Sequence, residues 1–72
     1  MNTEEKIALI EEMLELENGT LKEETELKSI SVWDSMAALS LIALCDEKFS
    51  KKLSGDQILQ FVTIKDVTDF MG

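Results

Sequence analysis

Helix-start signals divide this chain, and no stretch of it shows the two-residue alternation of a half-buried β-strand. Asp34 is a residue type favoured at helix N-caps, and Ser54 is followed three residues later by Gln57, the pattern of a capping box. Thr63 and Asp66 repeat that pattern near the end of the chain. Together with apolar residues at helical spacing, these signals predict an all-α fold of four helices, three longer and one short.

The boundaries follow from the same signals. The predicted helices span about residues 3–17, 34–49, 55–61 and 64–71. Asn2 or Thr3 can cap the first helix, and Asn18–Gly19 should end it, because both residues tolerate left-handed backbone. Residues 20–33 have no helical period, yet they contain large apolar side chains. We therefore expect a long loop after the first helix that packs as part of the core.

A helical wheel separates two arcs on the second helix. The arc expected to face the core consists of Ala38, Leu39, Leu41, Ile42, Cys45 and Phe49. The opposite arc, which is unusually apolar for a solvent-exposed face, consists of Met36, Ser40, Ala43, Leu44 and Glu47. Such a face suggests a docking surface. The inward residues expected in the last two helices are Ile58, Phe61, Ile64, Val67, Phe70 and Met71.

Composition excludes several classes of function. A chain of 72 residues builds only a thin core, and without histidine it lacks the commonest general base, so autonomous catalysis is disfavoured. The net charge of −8 argues against nucleic acid and anionic membranes as partners. The single Cys45 cannot form an internal disulfide and reads as a small buried hydrophobe. With no membrane-spanning run and no signal-peptide pattern, we expect a cytoplasmic protein.

The dipeptide Asp34-Ser35 is the candidate site for a covalent modification of a serine hydroxyl. A serine at the first position of a helix projects its hydroxyl near the positive end of the helix dipole, where a phosphodiester on that oxygen is favoured. Asp34 repels such a phosphate unless a metal ion bridges the two. The alternative is that Ser31 caps the helix with Asp34 as its capping-box acid, and that Ser35 is only a surface serine.

At this point the chain resembles the acyl carrier proteins, and the resemblance covers essentially residues 1–72 as one carrier domain. The segments that match the family pattern are Val32–Leu39, Leu41–Phe49 and Thr63–Val67. The resemblance implies a four-helix carrier domain that is not itself an enzyme. It implies that a phosphopantetheinyl transferase moves 4′-phosphopantetheine from coenzyme A onto Ser35, with Asp34 helping to position Mg²⁺ and the transferase. The terminal thiol then holds an acyl group as a thioester for loading and acyl-using enzymes such as a ligase, a synthase or an acyltransferase.

The family also implies two further sets of residues. An acyl-chain cavity would be lined by Leu39, Ile42, Phe49, Ile58, Val62 and Ile64. Taken alone, each of these residues is equally well explained as an ordinary residue of the hydrophobic core. Partner recognition would fall to Met36, Ser40, Ala43, Leu44, Asp46 and Glu47. Carriers of fatty acid biosynthesis have acids where this chain has the neutral Ala37 and Ser40. We therefore expect docking that is more hydrophobic than usual and a dedicated pathway in lipid, polyketide or polysaccharide metabolism.

Two other functions remain open from the sequence. One is an aminoacyl or peptidyl carrier, and the other is an acidic helical binding module that is never modified. We expect the protein to be a monomer whichever of these functions it has. The glutamates of the first helix (Glu11, Glu12, Glu15 and Glu17) lack the ordered ligand loop of a calcium site, so we interpret them as a solvated face.

Overall fold

The computed structural model describes residues 2–72 and confirms the all-α prediction. The helices are α1 (Thr3–Met13), α2 (Ser35–Phe49), α3 (Gly55–Gln60) and α4 (Ile64–Met71), with a 3₁₀ turn at Leu27–Ser29 in the loop between α1 and α2. Over residues 2–72 there is no strand, and one isolated antiparallel bridge joins Glu26 to Thr63. No helix in this range is long and apolar enough to cross a membrane.

Side chains cap the start of every α-helix, as the sequence predicts. Asn2 caps α1, where its Oδ1 accepts the Glu5 amide hydrogen at 2.8 Å and the Glu5 carboxylate accepts the Asn2 amide hydrogen at 3.1 Å. The capping boxes of α3, at Ser54 and Gln57, and of α4, at Thr63 and Asp66, are also formed. Each cap stabilises its helix by about 1 kcal/mol, which matters most for short helices such as α3.

The end of α1 differs from the prediction. The helix stops at Met13, and Glu15 adopts a left-handed backbone with φ of 60°. The amide of Leu16 donates to the carbonyl of Glu11 at 2.8 Å, and the amide of Glu15 donates to the carbonyl of Glu12 at 3.1 Å, which together form a Schellman motif. Leu16 packs on the core beyond this turn. The prediction that Asn18–Gly19 ends this helix is therefore wrong, because the packing of an apolar residue fixes the turn at an earlier glutamate.

The long loop contributes to the core as predicted. Leu21, Leu27 and Ile30 are buried together with residues from α1, α2 and α4. The buried apolar residues of the described chain are Ile10, Leu14, Leu21, Leu27, Ile30, Ala37, Leu41, Cys45, Leu53, Ile64, Val67 and Met71. The last apolar residues before α2 are less buried, since Trp33 is half-buried and Val32 is 41% exposed.

Backbone hydrogen bonds fasten this loop to the start of α4. The amide of Leu27 donates to the carbonyl of Val62, and the amide of Ile64 donates to the carbonyl of Thr25, each at 2.9 Å. These bonds satisfy polar backbone groups that would otherwise be orphaned beside the core. The loop that leads into α2 is therefore held against the start of α4 by backbone hydrogen bonds.

Candidate functional site

The candidate site lies where the long loop enters α2. Asp34 has extended backbone, and its Oδ1 accepts the amide hydrogen of Ala37 at 2.9 Å, so Asp34 is the N-cap and Ser35 is the first helical residue. The alternative in which Ser31 caps the helix is wrong for this reason. Among residues 2–72 the second carboxylate oxygen of Asp34 accepts no hydrogen bond and remains available to a ligand.

Ser35 is exposed at the end of the helix where a phosphate is favoured. Its own amide and that of Met36 belong to the first turn, in which N–H groups have no intrahelical acceptor. Those amides and the helix dipole favour an anion on a hydroxyl at this position. An exposed hydroxyl, free first-turn amides and a neighbouring carboxylate fit the attachment of a phosphodiester to Ser35 with help from a divalent cation.

Five of the six predicted recognition residues are exposed: Met36, Ser40, Ala43, Asp46 and Glu47. The sixth, Leu44, is half-buried and packs against the core, so its place on an exposed arc is wrong. Leu39 is instead 61% exposed. We call Met36, Leu39, Ser40 and Ala43 the exposed face of α2, since they follow the i, i+3, i+4, i+7 spacing of one helix face.

The physical reason for this difference is the close approach of α2 to the core along Ala37, Leu41 and Cys45, which are spaced four residues apart and are all buried. Apolar residues occupy both sides of this helix, so a wheel based on hydrophobicity alone assigns its orientation poorly. Burial of Ala37 also means that this position presents nothing to a partner.

The six predicted cavity residues fall into two groups. Ile64 is fully buried, and Ile42, Phe49 and Ile58 are half-buried against the core. Leu39 and Val62 are 61% and 54% exposed, so the structure contradicts their assignment to an interior cavity. Leu39 lies on the solvent-exposed surface of α2, and Val62 is exposed in the segment that follows α3. A cavity lined by the other four residues stays a prediction.

An open pocket of about 970 Å³ lies elsewhere, between α1 and the long loop. Its apolar part is formed by Ile7, Ala8 and Leu21, and glutamates and lysines surround it. None of the predicted cavity residues lines this pocket. The pocket is therefore separate from the region around Ser35.

Sequence reasoning missed the role of Glu11. This side chain is only 2% exposed, and its Oε2 accepts the amide hydrogens of Gly19 at 3.0 Å and of Leu21 at 2.9 Å. The interpretation of Glu11 as part of a solvated face is wrong, because two backbone amides replace the water that a buried carboxylate would lose. No local sequence signal marks this contact, since its partners lie eight and ten residues away.

The pKa values of Cys45 and Asp66 are shifted from their usual values. Burial raises the pKa of the Cys45 thiol, and Cys45 is fully buried and unpaired with another cysteine, as predicted for a small hydrophobe. Hydrogen bonds from the amides of Val62 and Thr63 lower the pKa of Asp66. Within residues 2–72, no group of three or more potential metal ligands is placed to hold an ion.

The sequence model of a family described as the phosphopantetheine attachment site matches residues 7–71. This match spans α2, α3 and α4 completely and most of α1. No curated protein and no solved structure gave a significant match.

Proposed function

The chain belongs to the phosphopantetheine attachment-site family, whose domains carry a covalent 4′-phosphopantetheine, and from this we propose that it is an acyl carrier protein with its arm on Ser35. The observation that carries the proposal is an exposed serine at the first position of α2, directly behind an aspartate N-cap and inside the matched residues. When bound, the 4′-phosphopantetheine group supplies a long arm whose thiol holds an acyl group as a thioester. The whole chain would act as one carrier domain.

Ser35 has to present its Oγ to a phosphopantetheinyl transferase and release the hydroxyl proton. This chain has no histidine to accept that proton. We therefore assign the general base to the transferase. The free first-turn amides of α2 then favour the phosphodiester on Oγ once it has formed. The chain itself would catalyse no reaction and would leave loading and transfer of the acyl group to other enzymes.

Asp34 can serve two purposes because its two carboxylate oxygens are used differently. Oδ1 holds the start of α2 by accepting the Ala37 amide hydrogen. The other oxygen can coordinate Mg²⁺ that is also bound by the transferase and by coenzyme A phosphates, since Mg²⁺ in such sites is bound by one or two carboxylates and phosphate oxygens. We propose that Asp34 positions the metal and the transferase at the modification step.

The exposed face of α2 supports recognition by partner enzymes. Met36 is 71% exposed and Leu39 is 61% exposed, and the neutral Ser40 and Ala43 lie beside them. Large apolar side chains held on a rigid helix next to the attachment serine suit an apolar socket on a partner. Asp46 and Glu47 add negative charge at the far end of the helix. We propose that Leu44 contributes only through packing.

A dedicated pathway remains our proposal for the acyl cargo. Ala37 and Ser40 are the two neutral positions where carriers of fatty acid biosynthesis have acids. Ala37 is buried, so only Ser40 can affect the choice of partner. A neutral serine in the middle of the exposed face favours partners with fewer basic residues than those of housekeeping fatty acid synthesis. The cytoplasm is the compartment that fits a carrier with one free cysteine.

One assay tests the proposed attachment. The purified protein is incubated with coenzyme A, Mg²⁺ and a broad-specificity phosphopantetheinyl transferase, and its intact mass is measured. We expect a mass gain of one phosphopantetheinyl group, which Ser35→Ala abolishes. Ser31→Ala is the matched control that keeps the gain, because Ser31 is exposed four residues before Ser35 and lies outside the exposed face of α2. No gain in the natural chain, or a gain that survives Ser35→Ala, contradicts the proposal.

A further inference from the structure

The Asn18–Gly19 pair does not end α1, and the structure shows what its backbone does instead. Both residues are exposed in the turn that follows α1, and Gly19 has φ of 90°, a conformation that a residue with a side chain rarely adopts. The Gly19 amide donates its hydrogen to Oε2 of the buried Glu11 at 3.0 Å. A carboxylate from the interior therefore holds the backbone nitrogen that follows the asparagine.

That nitrogen is the reactive atom in the deamidation of asparagine. In this reaction the Gly19 nitrogen loses its proton and bonds to Cγ of Asn18, the bond from Cγ to the side-chain nitrogen breaks, and ammonia leaves. Water then opens the resulting succinimide ring to aspartate or isoaspartate. A following glycine favours ring closure because it has no side chain to obstruct the attack.

Glu11 opposes this reaction in two ways. Its negative charge next to the Gly19 amide disfavours loss of the amide proton, because the two negative charges would repel at short range. Its second bond, from the Leu21 amide at 2.9 Å, fixes the turn together with the buried Leu21 side chain. We propose that the Glu11 carboxylate protects Asn18 from deamidation, so that Asn18 is a latent modification site that opens when this contact is lost.

The rate of deamidation tests the proposal directly and does not depend on the carrier function. The natural chain, Glu11→Gln and Glu11→Ala are kept at pH 8 and 37 °C, and tryptic peptides are analysed by mass spectrometry, with isoaspartate identified by electron-transfer fragmentation. Asn18 and the variable position both lie in the peptide between Lys6 and Lys22. We expect Asn18 in the folded natural chain to react several-fold more slowly than in the chain unfolded by urea.

Both Glu11 variants should lose Asn18 several-fold faster than the natural chain while circular dichroism shows that they are folded. Glu11→Gln decides the test if Glu11→Ala fails to fold, because glutamine has the same shape without the charge. Cys45→Ala, a destabilising change in the core of α2, is the control for loss of stability alone and should react like the natural chain. Equal rates in the folded and unfolded natural chain, no acceleration in Glu11→Gln, or equal acceleration in Cys45→Ala would each overturn the proposal.

Discussion

Oδ1 of Asp34 lies 2.9 Å from the amide nitrogen of Ala37, so the residue beside the proposed attachment serine also begins the helix that presents that serine. Capping fixes the first turn of α2, and the first turn fixes the exposure of Ser35. Stability and modification are therefore linked through one carboxylate. The two contributions can be separated by substitutions that keep the cap but remove the charge.

Asp34→Asn and Asp34→Ala separate capping from metal positioning. Asparagine is as good an N-cap as aspartate, so Asp34→Asn should change the free energy of unfolding little, whereas Asp34→Ala should lower it by about 1 kcal/mol. Both variants should reduce kcat/KM of the transferase, because neither supplies a charged ligand to Mg²⁺. Urea unfolding and the rate of mass gain measure the two effects. Transfer to Asp34→Asn at the natural rate would show that Asp34 acts only as a cap.

The helix starts could be predicted from the sequence because they depend on contacts within three residues. The Thr63–Asp66 capping box, for example, is complete in the structure as the sequence indicates. The end of α1 could not be predicted in the same way. It depends on Glu15 in a left-handed conformation, which is favoured by the packing of Leu16 and not by the preference of glutamate itself.

The position of the candidate site could also be predicted, but the orientation of its helix could not. The Asp34-Ser35 pair is a local signal, and its placement at the start of α2 matches the prediction. The helical wheel predicts that Leu39 faces the core, but Leu39 is exposed. All of the first ten residues of α2 are apolar or small, so hydrophobicity does not select one face. The buried contacts of Glu11 depend on the path of the loop and have no local signal.

Glu11→Ala should destabilise the protein much more than the substitution of an exposed glutamate does. The substitution leaves the Gly19 and Leu21 amides without their acceptor, and Leu21 is buried, so we expect a loss of about 2 kcal/mol or more in the free energy of unfolding. Urea unfolding followed by Trp33 fluorescence measures it. The matched control is Glu12→Ala on the exposed side of α1, which should change the free energy by less than about 0.5 kcal/mol. Equal effects of the two substitutions would show that the Glu11 hydrogen bonds contribute no stability.

Asp66 should make the start of α4 sensitive to acid. Hydrogen bonds from the amides of Val62 and Thr63 lower its pKa below the usual 3.8. The ionised carboxylate therefore stabilises the folded chain above the unfolded pKa, and this contribution is lost as the pH falls through the lower folded pKa. Asp66→Asn should lower Tm at pH 6 and have a smaller effect near pH 3. A Tm difference that is the same at both pH values would contradict this assignment.

Cys45 should be unreactive while the protein is folded. Its side chain is fully buried and its pKa is raised, so both access and the thiolate fraction are reduced. At pH 8, we expect an aromatic disulfide reagent to label the thiol of the native protein only slowly. In the urea-unfolded chain, the same reagent should label one thiol immediately. Rapid labelling of the native chain would show that α2 exposes its inner face in solution.

Leu39 provides the sharpest test of the exposed face of α2. Because its side chain is 61% exposed, Leu39→Ala should change the free energy of unfolding by less than about 0.5 kcal/mol, whereas Leu41→Ala, at 1% exposure, should cost about 2–5 kcal/mol.

If the exposed face docks on partners, Leu39→Ala should raise the KM of the transferase for the carrier, and the increase should persist at high salt because an apolar contact is not screened. Leu59→Ala on α3 is the matched control, since Leu59 is 84% exposed but lies on another helix. An unchanged KM for both leucine variants would exclude Leu39 from the surface that the transferase binds.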